Sequence, residues 1–368
     1  MNSLNDNESR ARFRQDILAW YNGSKRDLPW RKSNLPYEIW ISEVMLQQTQ
    51  VKTVLEYYHK FLAAFPDMKT LAESDLDRVL KVWEGMGYYA RARNLHRAAR
   101  HIMKHLDGKM PNTFETLQAI PGIGPYTAAA IASIAFNEPV AVVDGNVARV
   151  LSRLFLIKQN PKQPEAQKQL NQHAQALIDE HRPGEFNQAM MELGSILCTP
   201  RKPRCLLCPV SRFCRALHEL EDPAVLPAKK PKKELPHYPI AVGVIWDDGH
   251  IFIDRRQEDG LLGGLWEFPG GKIEEGELPE ETVRREIKEE LNLDVEVGDY
   301  FMEVRHAYTH FKITLLVYHC MYKGGEPVLN AATDWRWVKP EELKYFAFAS
   351  ANQKIIRRLE QEFAAKHG

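Results

Sequence analysis

The sequence predicts an all-α domain followed by a smaller α/β domain. Three observations carry this: helical spacing of apolar residues in the first part, strand-like alternation in the last part, and a proline-rich stretch between them. In the first part, DILAWYN, YEIWISEVMLQQTQVKTVLEYYHKFLAAF and YTAAAIASIAF place apolar side chains three and four residues apart, as do Leu71–Trp83 and Arg91–Leu106. The stretch PAVLPAKKPKKELPHYP (223–239) holds five prolines and four lysines. Proline at this density disfavours helix and central strand, so the stretch reads as an extended linker. Its KKPKK run suits either solvent or a phosphate backbone. Beyond it, IAVGVIW, HIFIDRR, YFMEVRHAY, KITLLVYHCMY and DWRWV read as strands, and TVRREIKEELN and NQKIIRRLEQEFAAKH as helices. The boundaries expected are 1–222, a linker at 223–238, and 239–368.

The 368 residues suffice for two cores, and 44% hydrophobic with 27% charged residues is ordinary for a globular chain. No apolar run is long enough to span a bilayer. The polar N-terminus MNSLNDNESRARFRQD lacks the apolar core of a secretion signal, which points to a reducing cytosol and away from disulfides. Net charge is zero, yet residues 1–222 hold 29 Lys and Arg against 24 Asp and Glu (+5), and residues 223–368 hold 20 against 25 (−5). A basic first part suits a polyanionic partner.

Four of the five cysteines fall in CTPRKPRCLLCPVSRFC, as Cys198, Cys205, Cys208 and Cys214. A structural zinc site usually has two close pairs, whereas here one close pair is flanked by single cysteines. Four thiolates on one loop also suit the corners of a [4Fe–4S] cube. Arg201, Lys202, Arg204, Arg212 and Arg215 suggest that the loop meets phosphate as well. Cys320 stands alone in an apolar strand and reads as core. This cysteine spacing, closing an all-α domain, resembles that of the endonuclease III and MutY family of DNA repair enzymes.

Residues 117–131, LQAIPGIGPYTAAAI, look like a helix-hairpin-helix. Gly122 and Gly124 would permit positive φ in a tight turn, and the helix opening near Thr127 would offer free N–H groups to a DNA phosphate. Asp144, in VVDGNVARVLSR, stands before a further helix and suits an N-cap. In glycosylases of the resembled family, the aspartate at this place is catalytic, and both roles are compatible. Members that also cut the backbone use a lysine amine in the hairpin helix as a Schiff-base nucleophile. Tyr126 occupies that place here and no lysine lies within 110–157. Base removal by water is therefore expected rather than lyase chemistry.

KRDLPWR (25–31) and WISEVMLQQTQV (40–51) resemble the corresponding segments of MutY adenine glycosylases. Glu43 sits among Trp40, Val44 and Leu46, a dry setting that raises a carboxyl pKa and suits a general acid. Adenine leaves once a ring nitrogen is protonated. An ionised Asp144 would then stabilise the oxocarbenium-like sugar, a division of labour similar to that in glycoside hydrolysis. The resemblance implies Arg26, Trp30, Arg31, Leu46, Thr49 and Gln188 around a flipped adenine, with Asn146 beside Asp144. It implies Gln48, Met86 and Tyr88 wedged into the gap.

In the last part, Gly271 to Leu293 reads G-x5-E-x7-R-E-U-x-E-E-x-N-U, which resembles a Nudix box with Asn292 in place of glycine. Glu286, Glu289 and Glu290 share one helix face, and Mg²⁺ is the natural cation to neutralise them. The MutY family carries a MutT-like domain in this position that reads 8-oxoguanine. Tyr308-Thr309-His310 stands where its contact loop would be. The resemblance implies a monomeric glycosylase of the bacterial cytoplasm that removes adenine opposite 8-oxoguanine or guanine in double-stranded DNA. The competing readings are an endonuclease III-type lyase, a non-enzymatic damage binder and a nucleotide pyrophosphohydrolase.

Overall fold

The computed structural model describes residues 4–228, 234–260 and 262–367; the KKPKK run lies outside the described residues. The chain forms two compact units, one of Met1–Glu73 and Asn94–Lys232, the other of Ser74–Arg93 and Lys233–Gly368. The second unit thus takes in a short segment that the sequence reading placed in the first domain. Among the described residues no helix is long and apolar enough to cross a membrane.

The first unit is helical, as expected. Its long helices are Asn7–Ser24, Pro36–Leu46, Val51–Ala64, Pro125–Phe136, Gly145–Leu154, Pro164–Leu177 and Pro183–Ile196. Phe13, Ile17, Leu151, Phe186, Leu193 and Phe213 form its main core, with Cys198, Cys208 and Cys214 packed at its edge. Two expected runs are broken. YEIW…LAAF splits at Gln47–Gln50, where Gln48 takes φ +57°. Leu71–Trp83 splits at Ser74, with Asp75 ahead of helix Leu76–Trp83.

The hairpin needs one correction. Gly122 has φ +95°, and a Cβ there would stand 2.7 Å from the Asn94 carbonyl oxygen, so only glycine fits. Gly124 has φ −82° and is the N-cap of helix Pro125–Phe136, so it does not supply a second left-handed residue.

The second unit is a mixed seven-stranded sheet: β1 (His237–Asp247), β2 (His250–Arg256), β3 (Trp266–Glu267), β4 (Gly270–Lys272), β5 (Asp294–Ala307), β6 (Lys312–Gly324) and β7 (Ala332–Val338). The order is β3-β2-β1-β6-β5, with β4 on β1 and β7 on β2; only β1 and β6 run parallel. Alternation decides the faces. Val242, Val244, Ile251, Ile253, Leu315 and Val317 meet Ile355 and Leu359 of helix Ser350–His367. Ala241, Ile245, Phe252 and Cys320 meet Val283 and Ile287 of helix Pro279–Leu291. Cys320 is fully buried, as expected. His237 and Tyr238, expected in the linker, already belong to β1 and pair with Lys312 and Ile313, and Pro239 pairs with Thr314 near the strand's start, a position where a missing N–H is tolerated. Asn292 takes φ +57° and ends helix Pro279–Leu291, so it does what glycine does in the usual box.

Candidate active site

A cavity of about 420 Å³ opens in the first unit. Arg26, Trp30, Arg31, Glu43, Leu46, Thr49, Tyr126, Asp144, Asn146 and Gln188 all line it, although they come from five separate stretches of chain.

Glu43 lies in the apolar helix Pro36–Leu46 and is 5% exposed. Its Oε2 accepts a hydrogen bond of 2.7 Å from the Tyr126 hydroxyl. Burial lifts its pKa to about 7; the Tyr126 hydrogen bond pulls it down, and the nearby Asp144 charge pushes it further up. Tyr126, which stands where the sequence offered no lysine, is engaged through its hydroxyl by the Glu43 carboxyl.

Asp144 caps helix Gly145–Leu154, as its sequence context predicts. Its Oδ1 accepts from the Val147 N–H at 2.7 Å, and its Oδ2 from Asn146 Nδ2 at 2.8 Å. Burial raises its pKa, but these donors and the helix N-terminus work in the opposite direction and favour the charged form. Asn146 is held in turn by Arg149, whose Nη2 donates to Asn146 Oδ1 at 2.8 Å and to the Gly194 carbonyl at 2.7 Å, and whose Nε donates to the Cys198 carbonyl at 2.7 Å. Gly194 has no room for a side chain: a Cβ would lie 2.7 Å from that of Asn146.

The polar wall holds one residue that sequence reasoning missed. Glu192 is 1% exposed and accepts from Arg26 Nε (2.8 Å) and Nη2 (2.6 Å), from Arg31 Nη2 (2.8 Å) and from the Arg26 backbone. Burial alone would raise its pKa, but the hydrogen bonds from both arginines hold it down at about 2. A signal existed: Glu192 stands four residues after Gln188 on one apolar helix, so the two share a face. Gln188 itself accepts from the buried Tyr21 hydroxyl at 2.6 Å.

Cys198, Cys205, Cys208 and Cys214 are all free and half-buried, and the last three lie close enough to Cys198 for its charge to act on each of them. Burial lifts the Cys208 thiol to about 12 and the Cys214 thiol to about 11. Such thiols ionise when a soft metal takes the sulfur, so the donor set fits a thiolate-bound metal group. Arg153, 1% exposed, organises the loop through Cys198 Sγ (3.2 Å) and the carbonyls of Thr199 (2.8 Å) and Leu226 (2.9 Å).

In the second unit, Tyr88 and Thr309 meet: their hydroxyls are 2.7 Å apart. Tyr88 takes φ +50°, and it follows Gly85 and Gly87, which are also left-handed. The Tyr308 ring stacks on Phe311 at 4.8 Å, burial lifts its pKa to about 12, and His310 lines a cavity of about 1190 Å³. That cavity also contains Glu286 and Glu290. The Glu286 carboxylate lies against Gly271 where a Cβ would otherwise stand. Among the described residues no three His, Cys, Asp or Glu side chains are drawn together around one metal position, and this holds for the four cysteines as it does for Glu286, Glu289 and Glu290. Arg285 bonds Glu286 (3.0 Å) and Glu289 (3.3 Å) on the helix and Glu277 (2.8 Å) just before it, while burial and the neighbouring carboxylates lift the Glu290 pKa to about 7.

The helical unit with its paired carboxylates and the mixed-sheet unit together define a base-excision DNA glycosylase carrying a Nudix-type domain. Residues 41–176 match the HhH-GPD superfamily of base excision DNA repair proteins, and residues 241–358 match the NUDIX domain. The chain is 37% identical to the adenine DNA glycosylase of Homo sapiens, over 94% of this chain and 73% of that protein, and 36% identical to that of Arabidopsis thaliana, over 96% and 65%. It therefore belongs to the adenine DNA glycosylase family. A solved thermostable thymine-DNA glycosylase superposes on it with a TM-score of 0.53 at 30% identity, covering 58% of this chain and 99% of that one.

Proposed function

We propose that the chain binds double-stranded DNA and excises adenine mispaired with 8-oxoguanine or guanine, by hydrolysis and without lyase chemistry. The observation that carries this is the Glu43–Tyr126 pair beside a capped Asp144 in one cavity. Glu43, whose burial lets it keep its proton up to about pH 7, protonates a ring nitrogen of the flipped base. The glycosidic bond then breaks, and the developing positive sugar faces the Asp144 carboxylate, held in its charged form by Val147 and Asn146. Water completes the reaction. Trp30 and Leu46 supply apolar wall, and Arg26, Arg31 and Gln188 the polar edge. Tyr126 has no amine for an imine and is engaged by the acid.

The Gly122 turn and the N–H groups that open helix Pro125–Phe136 would hold phosphate. Gln48 and Tyr88 both adopt left-handed backbone, a strain that ordinary turns give to glycine and that functional sites retain. Gln48 would contact the DNA from the first unit, and within the second unit Tyr88, beside Met86, would read the opposite base with Thr309 and His310. A [4Fe–4S] cluster on Cys198, Cys205, Cys208 and Cys214 would organise the basic loop; the hydrolysis needs no electrons from it. A monomer acting in the cytoplasm is part of the same proposal.

The test is adenine release from duplexes with A opposite 8-oxoguanine, A opposite G, and oxidised pyrimidines. Wild type should act on the first two, and Asp144→Asn should bind them but release nothing. Release by Asp144→Asn within a few-fold of wild type would reject the assignment.

A further inference from the structure

Segment 74–93 packs on the C-terminal fold through side chains that the excision chemistry does not use. Helix Leu76–Trp83 ends at Glu84, immediately before the left-handed turn that carries Met86 and Tyr88. Glu84 Oε1 accepts from the Phe348 backbone N–H (2.9 Å) and from Gln353 Nε2 (2.7 Å). Its Oε2 pairs with Lys81 Nζ at 2.7 Å, and Lys81 donates to the Phe346 carbonyl at 2.9 Å. Phe348 is fully buried and lies two residues before helix Ser350–His367. The carboxylate thus closes a four-membered network of Lys81, Phe346, Phe348 and Gln353 at the foot of the turn.

The turn above it is built to be rigid. Trp83 Nε1 donates to the Gly87 carbonyl at 3.1 Å, and Arg91 Nη2 donates to the carbonyls of Met86 (3.3 Å) and Gly87 (3.1 Å). The Arg91 guanidinium also lies over the rings of Trp83 and Tyr88. A rigid turn transmits the position of its base to its tip. The tip is Tyr88, whose hydroxyl must meet Thr309 on the β5–β6 loop at 2.7 Å. The three sites Glu84, Tyr88 and Thr309 therefore form one mechanical chain within this unit.

We propose that Glu84 is a positioning residue for reading the base opposite adenine: it anchors the Tyr88 turn to the foot of helix Ser350–His367 and so keeps Tyr88 paired with Thr309. This rests on the proposed reading of Tyr88 and Thr309 as the opposite-base contact. Adenine chemistry does not pass through Glu84, so the effect belongs to discrimination and not to bond cleavage.

The test uses the full chain and duplexes with A opposite 8-oxoguanine or A opposite G. Dissociation constants are measured with a non-cleavable adenine analogue, and excision rates under saturating single-turnover conditions. Losing the Glu84 acceptor of the Phe348 N–H should cut the 8-oxoguanine-over-guanine binding preference of Glu84→Ala by about tenfold, with saturated excision changed less than about threefold. Glu84→Gln keeps one acceptor oxygen for Phe348 and should restore most of the preference. Gln353→Ala, which removes one bond and leaves the carboxylate, should fall between. Thr309→Ala should cost preference in the wild-type background and little more in Glu84→Ala, because contacts along one chain do not add. A Glu84→Ala preference within twofold of wild type, with Thr309→Ala still harmful, would overturn the inference alone. No effect of Thr309→Ala or Tyr88→Phe in wild type would instead overturn the reading beneath it. If Glu84→Ala does not fold, an unchanged preference in Gln353→Ala overturns the inference, and a reduced one with unchanged excision supports it.

Discussion

Replacing Tyr126 by Phe should move the alkaline limb of the pH–rate profile upward. The Tyr126 hydroxyl donates to Glu43 and so favours its ionised form. A hydrogen bond to a charged group contributes about 1.5–3 kcal/mol, and one pKa unit corresponds to about 1.4 kcal/mol, so losing it should raise the Glu43 pKa by about one to two units. Burial, the larger cause of the high pKa, is unchanged by removing one oxygen. The direction follows from the role. A general acid works while protonated, so wild-type activity should hold below about pH 7 and fall as pH rises through it. In Tyr126→Phe the fall should begin at higher pH. The assay is single-turnover adenine release between about pH 5 and pH 10, each rate normalised to that variant's own maximum. An alkaline limb that stays in place or moves down would refute the reasoning, since Glu43 would then not be the titrating acid. The same burial has a stability cost. The folded chain holds the Glu43 proton more tightly than the unfolded chain, so stability is full below the ordinary value of 4.5 and is lost as pH rises through about 7. That displacement corresponds to about 3 kcal/mol. Glu43→Gln should therefore abolish excision while gaining Tm over wild type at pH 8, with little gain at pH 4.

Glu192→Ala leaves Arg26 and Arg31 without their shared carboxylate, and should cost about 3–5 kcal/mol in urea unfolding and weaken binding of a non-cleavable adenine analogue; an unchanged denaturation midpoint would contradict the geometry. Purified protein should contain iron and acid-labile sulfide in near-equal amounts, and Cys208→Ser should lower both along with DNA affinity, whereas zinc in anaerobically prepared protein would refute the cluster. Because Arg285 already engages Glu286 and Glu289, the full chain with Mg²⁺ and 8-oxo-dGTP should release no pyrophosphate; release that disappears in Glu289→Gln would make this a two-activity protein.

The candidate site was legible in the sequence where short motifs carry it. Glu43, Asp144, Tyr126 and the cysteines each lie in a local pattern whose residue types suit the proposed roles. The helix and strand runs were legible because period 3.6 and period 2 differ over a few residues. What stayed hidden depends on distant partners or on backbone that side-chain identity does not announce. Gln48 and Tyr88 are left-handed at positions where residue type predicts ordinary backbone. Glu192 reads as one more helical carboxylate until Arg26 and Arg31, more than 160 residues earlier, fold onto it. The Glu84 contact with Phe348 spans 264 residues. Gly124 was over-read, because a G-x-G pair does not say which glycine turns left.

That the second unit draws Ser74–Arg93 from the middle of the other bears on how such a chain can be cut and shuffled. A protease or a gene break in the proline-rich stretch would separate two polypeptides but not two complete units. The C-terminal piece would lack the partner of Arg255 at Asp77 (3.0 Å) and the carboxylate that receives the Phe348 N–H. The N-terminal piece would keep Tyr88 with no Thr309 to meet it. Recombination that exchanged only the C-terminal halves of two relatives would join a turn from one lineage to a sheet from another. Lys81, Glu84 and Tyr88 must therefore travel through inheritance with residues more than 200 positions downstream. The portable module is discontinuous, and a faithful transplant would carry both pieces.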